Sequence, residues 1–213
     1  MTAPKKILIF GPQGAGKGTQ AERLAKRLHL PALSMGGLLR EEQVSGSAIG
    51  KQIVENMTHG VLVSDQIALA VLKKRLQKPD ALGGYIIDGY PRNLAQDHAY
   101  LSFDQPTQVI VIELSDEEAI KRLAGRRTCS LCGKIYHTDF APPAKSDVCD
   151  ACGGALIQRP DDTPEAIQKR LDIYRNETTP VAAEFEKMGI LHRVDGSGTM
   201  DQVEAEIQKR FAV

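Results

Sequence analysis

Gly11-Pro12-Gln13-Gly14-Ala15-Gly16-Lys17-Gly18-Thr19 is the stretch on which the fold turns. Before it, Ile7 to Phe10 is a short continuous apolar run, which reads as a buried strand. After it, Ala21, Leu24, Ala25 and Leu28 recur at helical spacing, with Glu22, Arg23, Lys26 and Arg27 between them. That pattern predicts an amphipathic helix. A strand, a glycine-rich turn and a helix start form the setting of a phosphate loop. Glycines let backbone N–H groups turn inward around an anion, the helix N-terminus adds positive potential, and Lys17 supplies a point charge. Gly14, Ala15, Gly16, Lys17, Gly18 and Thr19 are the candidate phosphate-binding residues. The strict pattern places a hydroxyl directly after the lysine; here Gly18 intervenes and Thr19 carries it. A ligand-free strand-to-helix turn is the bland alternative, and Lys17 in this setting argues against it.

Further apolar runs lie at Ala32-Leu33, Tyr85-Ile86-Ile87, Val109 to Ile112 and, more weakly, Ile190-Leu191. Helical patterns separate most of them. Strands alternating with helices predict an α/β fold with a parallel sheet covered on both faces. Two stretches break the alternation and are read as insertions into one core domain spanning 1–213. Residues 34–63 hold short helical patterns and several glycines; residues 125–162 hold all four cysteines, Pro142-Pro143 and little periodicity. Beyond the second, Thr163 as N-cap and Pro164 at the first helical position open a helix. Ile167, Leu171 and Tyr174 mark its face, and Pro180 should break or kink it.

The 213 residues carry 27 Lys+Arg against 27 Asp+Glu, with 42% hydrophobic and 25% charged. The balance excludes nucleic-acid binding by bulk charge and a polybasic membrane anchor. No segment approaches the roughly 18 apolar residues of a membrane span. The apolar run near the start is too short for a secretory signal. The expectation is a soluble cytoplasmic protein with reduced thiols.

Cys129-Ser130-Leu131-Cys132 and Cys149-Asp150-Ala151-Cys152 form two C-x2-C pairs at zinc-ribbon spacing, each followed by a glycine. Four thiolates fill a tetrahedral Zn²⁺ and leave no open position, so the metal would be structural. His137 is a conceivable substitute ligand, but four cysteines suffice. Residues 125–162 are too few to bury a real core, and a segment below about 40 residues usually needs a staple.

Gly11 to Gln20 resembles the phosphate loop of the nucleoside monophosphate kinases, and of the adenylate kinases in particular. Other motifs match in order: Ser34 to Arg40, Asp88-Gly89-Tyr90-Pro91-Arg92 with Gln96 following, Gly125-Arg126-Arg127, Arg159-Pro160-Asp161-Asp162, and Arg170. The resemblance runs from about residue 5 to 210. It implies a P-loop NTPase-type parallel sheet with two inserted subdomains: a monophosphate-binding one at 34–63 and a zinc lid at 125–162. It implies Mg²⁺-dependent transfer from ATP to AMP giving two ADP, by a monomer with no nucleic-acid or membrane partner.

Residue roles follow from the same resemblance. Lys17, Arg92, Arg126, Arg159 and Arg170 would be catalytic. Arg122, Arg126, Ile135, Tyr136 and Gly198 would join the phosphate loop in binding ATP. Met35, Arg40, Val61, Leu62, Val63, Gly89, Tyr90, Pro91, Arg92, Gln96, Arg159 and Arg170 would bind AMP, Gln96 reading the base through its amide. Asp88 would hold Mg²⁺ through water, and Asp161 and Asp162 would bond nucleotide or lid, or merely lead into the helix beginning at Pro164. Two departures stand out: Met35 and Gly37 replace the Thr and Asp usual in the family.

These residue types suit phosphoryl transfer. The acceptor phosphate is already an anion, so no strong general base is needed; charge neutralisation and in-line positioning are. Arginine grips two phosphate oxygens and stays charged. The competing readings are another monophosphate kinase with a pyrimidine or guanine acceptor, and a zinc-ribbon binding protein using nucleotide as a switch. The sequence has no basic, aromatic-rich stripe and no Asn-Lys-x-Asp guanine motif.

Overall fold

The computed structural model describes residues 4–58, 63–159 and 162–211, so the calls on Val61, Leu62 and Asp161 fall outside the described residues. The chain runs β1 (Lys5–Phe10), α1 (Lys17–Leu28), β2 (Ala32–Ser34), α2 (Met35–Val44), α3 (Ala48–Thr58), α4 (Asp65–Leu76), β3 (Gly84–Asp88), α5 (Leu94–Leu101) and β4 (Gln108–Glu113). It continues with α6 (Asp116–Ala124), β5 (Arg126–Cys129), β6 (Ile135–His137), β7 (Leu156–Ile157), α7 (Pro164–Ile173), α8 (Thr179–Lys187), β8 (Leu191–Asp195) and α9 (Met200–Phe211).

The main sheet is parallel, in the order β2-β3-β1-β4-β8. Its central strands are apolar on both faces because both are covered. Leu8, Phe10, Ile87, Val109 and Val111 point into one core with Leu33, Met35, Leu72, Tyr85, Tyr100 and Phe185. Ile7, Ile9, Ile86, Ile110 and Ile112 point the other way, onto Ala21 and Leu24 of α1 and Val203 and Ile207 of α9. This alternation is the two-residue period of a strand buried between helical layers. The first insertion shares the larger core: Met35 and Leu38 of α2 and Ile53 of α3 pack into it.

The helix start predicted at Thr163 carries its cap, and two other helices are capped in the same way. Thr163 accepts from the Ala166 N–H, Ser115 from Glu118 and Asn93 from Gln96. The interruption expected at Pro180 takes the form of a π-helical turn at Tyr174–Thr178, after which Pro180 sits in the first turn of α8. There a missing N–H costs nothing.

Residues 125–162, which showed little periodicity, contain a small antiparallel sheet in the order β6-β5-β7. Its buried cluster is Cys129, Tyr136, Cys149 and Leu156. Among the described residues, no helix is long and apolar enough to cross a membrane.

Candidate active site

Parallel strands bring their C-terminal ends to one edge, where α/β folds bind ligands. The phosphate loop leaves β1 there, and Asp88 ends β3 beside it. The loop's glycines are forced by space and backbone angle. A Cβ on Gly11 would lie 2.5 Å from the Ile112 carbonyl oxygen, and one on Gly14 2.9 Å from that of Ala119. Gly16, the N-cap of α1, has φ +80°, a left-handed conformation that favours glycine.

Lys17 folds back so that Nζ donates to the Pro12 carbonyl at 2.8 Å. Burial lowers its pKa to about 8; Asp88 opposes the shift, while Arg92, Arg170 and Arg126 press the same way. Four cationic side chains thus converge on one anion-binding loop. Burial raises the Asp88 pKa against Lys17 and Arg92. Asp88 Oδ1 is buried without a hydrogen-bond partner, and Oδ2 lies 3.4 Å from where a Cβ on Gly18 would sit. A buried carboxylate oxygen left unpaired at the mouth of a phosphate loop fits a hydrated Mg²⁺.

The Lys17 value sets a pH dependence. In the empty protein the ammonium loses its proton above pH 8, whereas bound phosphates favour the charged form, so binding above pH 8 takes up a proton. Affinity for magnesium–ATP should fall about tenfold between pH 7 and pH 9. Calorimetric titrations in two buffers of different ionisation enthalpy check this. Lys17→Arg, which stays charged, should lose the proton uptake.

The arginines are held in three ways. Arg126, on β5, donates Nε at 2.8 Å and also Nη2 to the fully buried Asp162, and Arg170 Nη1 reaches the same carboxylate at 3.2 Å. Asp162 therefore gathers two arginines as a phosphate would. Of the two roles considered for Asp162, this arrangement matches the one on the lid side. Arg159 Nε donates to Thr128 Oγ1 at 2.9 Å. Arg92 Nε donates to the Gly89 carbonyl at 2.9 Å, and its own carbonyl accepts from Thr178 Oγ1 at 2.8 Å.

Arg122 ties α6 to the loop after β8, donating to the carbonyls of Gly196 and Ser197 at 2.9 and 3.1 Å. Gly198 follows directly. Arg40 is exposed on α2, 3.3 Å from where a Cβ on Gly36 would lie.

Some expected nucleotide contacts face elsewhere. Met35 is buried in the larger core, and Tyr90 is buried with its hydroxyl donating to the Gln96 carbonyl. Tyr136 is turned into the small sheet's interior, its hydroxyl 3.4 Å from Cys149 Sγ and accepting from the Asp150 N–H, while Ile135 is exposed. Pro91 is buried, and Gly89 has φ +80°. Thr128, Thr178 and Asp65, which hold Arg159, Arg92 and Gln96, carried no sequence signal, because partners so distant in the chain leave no spacing to read.

The cysteine sulfurs all lie within 4.8 Å of one another, with Cys129–Cys152 at 3.4 Å and Cys132–Cys149 at 3.6 Å. Tetrahedral thiolate coordination at the usual zinc–sulfur length puts sulfurs about 3.8 Å apart. Backbone N–H groups of Leu131 and Cys132 point at Cys129 Sγ. Four sulfurs brought together at these distances form a donor set that suits a metal cation. His137 Nδ1 accepts from the N–H groups of Asp139 and Phe140, and the ring is not part of the cluster.

A lysine-bearing phosphate loop on a parallel sheet, with three arginines acting on its lysine and a four-cysteine cluster in the second insertion, defines a P-loop phosphotransferase. The family model described as "Adenylate kinase" matches residues 9–190. Proteins of that name from Pelobacter propionicus, Archaeoglobus fulgidus and Methanosarcina barkeri are 42%, 40% and 41% identical to this chain. The alignments cover 95%, 95% and 97% of this chain and 94%, 95% and 99% of those proteins. The chain belongs to the adenylate kinase family.

Proposed function

We propose that this chain moves the terminal phosphoryl group of ATP to AMP, giving two ADP. The convergence of Lys17, Arg92, Arg126 and Arg170 at the phosphate loop supports it most directly. Bringing donor and acceptor phosphates together in line requires fixed cations to offset their repulsion, and little covalent help from the protein. In this reading Gly14 to Thr19 cradle the donor phosphates, and Lys17 follows the transferring group. Arg92 and Arg40 hold the acceptor phosphate. Arg126 and Arg159 come down with the lid, and Arg159 and Arg170 bridge the two nucleotides, with Asp162 yielding to phosphate oxygens. Val63 and Gln96 line the acceptor base, and Arg122, Ile135 and Gly198 the donor side.

Asp88 would hold Mg²⁺ through water, and that ion would supply neutralising charge to the donor phosphates. Cys129, Cys132, Cys149 and Cys152 would hold a structural Zn²⁺, which fastens residues 125–162 into a rigid lid. The lid excludes water from the phosphoryl group as it closes. The working form is a monomer, acting on free nucleotides.

Initial rates with magnesium–ATP and AMP, UMP, CMP or GMP test the assignment. The expectation is ADP formation with AMP, at a kcat/KM at least about tenfold above the other acceptors. Higher turnover with UMP, CMP or GMP would move the chain to another acceptor class.

A further inference from the structure

Gln96 is buried, and both ends of its amide are engaged. Its Oε1 accepts from the Arg92 backbone N–H at 2.8 Å, and its Nε2 donates to Asp65 Oδ1 at 2.6 Å. Asp65 is itself steadied, since its Oδ2 accepts from Asn93 Nδ2 at 3.2 Å. Asn93 Oδ1 in turn accepts from the Gln96 N–H at 2.8 Å.

A backbone N–H can only donate and a carboxylate can only accept. The amide can therefore sit in one sense alone. Turning it over would face NH₂ against the Arg92 N–H and an oxygen against the Asp65 carboxylate. Held this way, the amide keeps one spare N–H and one spare oxygen lone pair for a ligand. Adenine matches that pair, with a ring-nitrogen acceptor beside an exocyclic amino donor. Hypoxanthine and guanine present the inverse, a ring N–H beside a carbonyl, and need the amide turned over.

We infer that Asp65 is a specificity-determining, positioning residue. Together with the Arg92 N–H it fixes the sense of the Gln96 amide and thereby selects an amino-purine monophosphate over an oxo-purine one. The inference rests on Gln96 facing the acceptor base, as proposed above. Asp65 acts through Gln96 and touches no reacting atom. It is exposed at the start of α4, and Ser64 caps that helix independently by accepting from the Ile67 N–H.

AMP and IMP differ at these atoms and are the probes. kcat/KM for each is measured at saturating magnesium–ATP, in the parent, Asp65→Asn, Asp65→Ser and Gln96→Leu. Asn and Ser can each donate or accept, so either removes the carboxylate's hold on the amide and leaves the Arg92 N–H alone to oppose the turned-over sense. Both variants should cut the AMP-over-IMP preference about tenfold, the scale of a bidentate base contact. The AMP KM should rise, while kcat with AMP and the KM for ATP stay within about twofold, because the phosphate groups are untouched. A folded Asp65→Asn or Asp65→Ser with the parental preference overturns the inference. If Gln96→Leu abolishes the preference in the same series, only the role of Asp65 falls. If Gln96→Leu also keeps it, the assignment of Gln96 to the acceptor base falls too. Lack of turnover by the parent with AMP overturns the proposed function itself.

Discussion

Lys17→Met should lower kcat for ADP formation by about 10²–10³-fold, the usual cost of removing one preorganised charge from a transition state. The melting temperature of the empty protein should not fall. The ammonium is buried with one carbonyl partner, its pKa is held down to about 8, and Arg92, Arg170 and Arg126 repel it. Methionine keeps much of the side chain's bulk and removes both the cost of burying the charge and the repulsion, which together outweigh the lost attraction to Asp88. Steady-state rates and calorimetric melting of the same preparations check both halves. A variant with kcat within tenfold of the parent would remove Lys17 from the phosphoryl transfer. A large drop in melting temperature would mean that the lysine holds the loop together.

Cys132→Ser should lower the melting temperature by about 10 °C, if losing a metal staple costs several kcal/mol in a domain of this size. Much of the activity at low temperature should survive, since no nucleotide-handling residue is altered. The four sulfurs draw residues 125–162 around a buried cluster of just Cys129, Tyr136, Cys149 and Leu156. Such a core cannot hold three short strands by apolar burial alone. Metal analysis of the parent should find about one zinc per chain, as a closed four-thiolate site requires. A metal-free parent, or a variant as heat-stable as the parent, would falsify the structural-metal assignment. Cys132 suits the test because it is exposed, so serine leaves the packing in place.

Much of this was legible in the sequence because it depends on neighbours. The phosphate loop is a run of adjacent residues between a strand and a helix, so its backbone path follows from local sterics. The cysteine knuckles are likewise set by spacing within four residues, and Thr163 and Pro164 announced a helix that is there. The second insertion was less legible. Its strands span four, three and two residues, too short to show alternation, and its ladder joins Arg126 to His137 and Thr128 to Ile157.

By itself the sequence determined the alternation of strands and helices in the core, the anion-binding turn, the paired cysteines and the family resemblance. Each is fixed by residues close together in the chain. Only the tertiary structure decided that Asp162 clasps Arg126 and Arg170, that Met35 and Tyr136 turn into apolar interiors, and that Asp65 meets Gln96. Those pairings depend on the sheet order and on burial, which set side chains from distant segments face to face. A hydrogen bond between residues far apart leaves no period in the sequence.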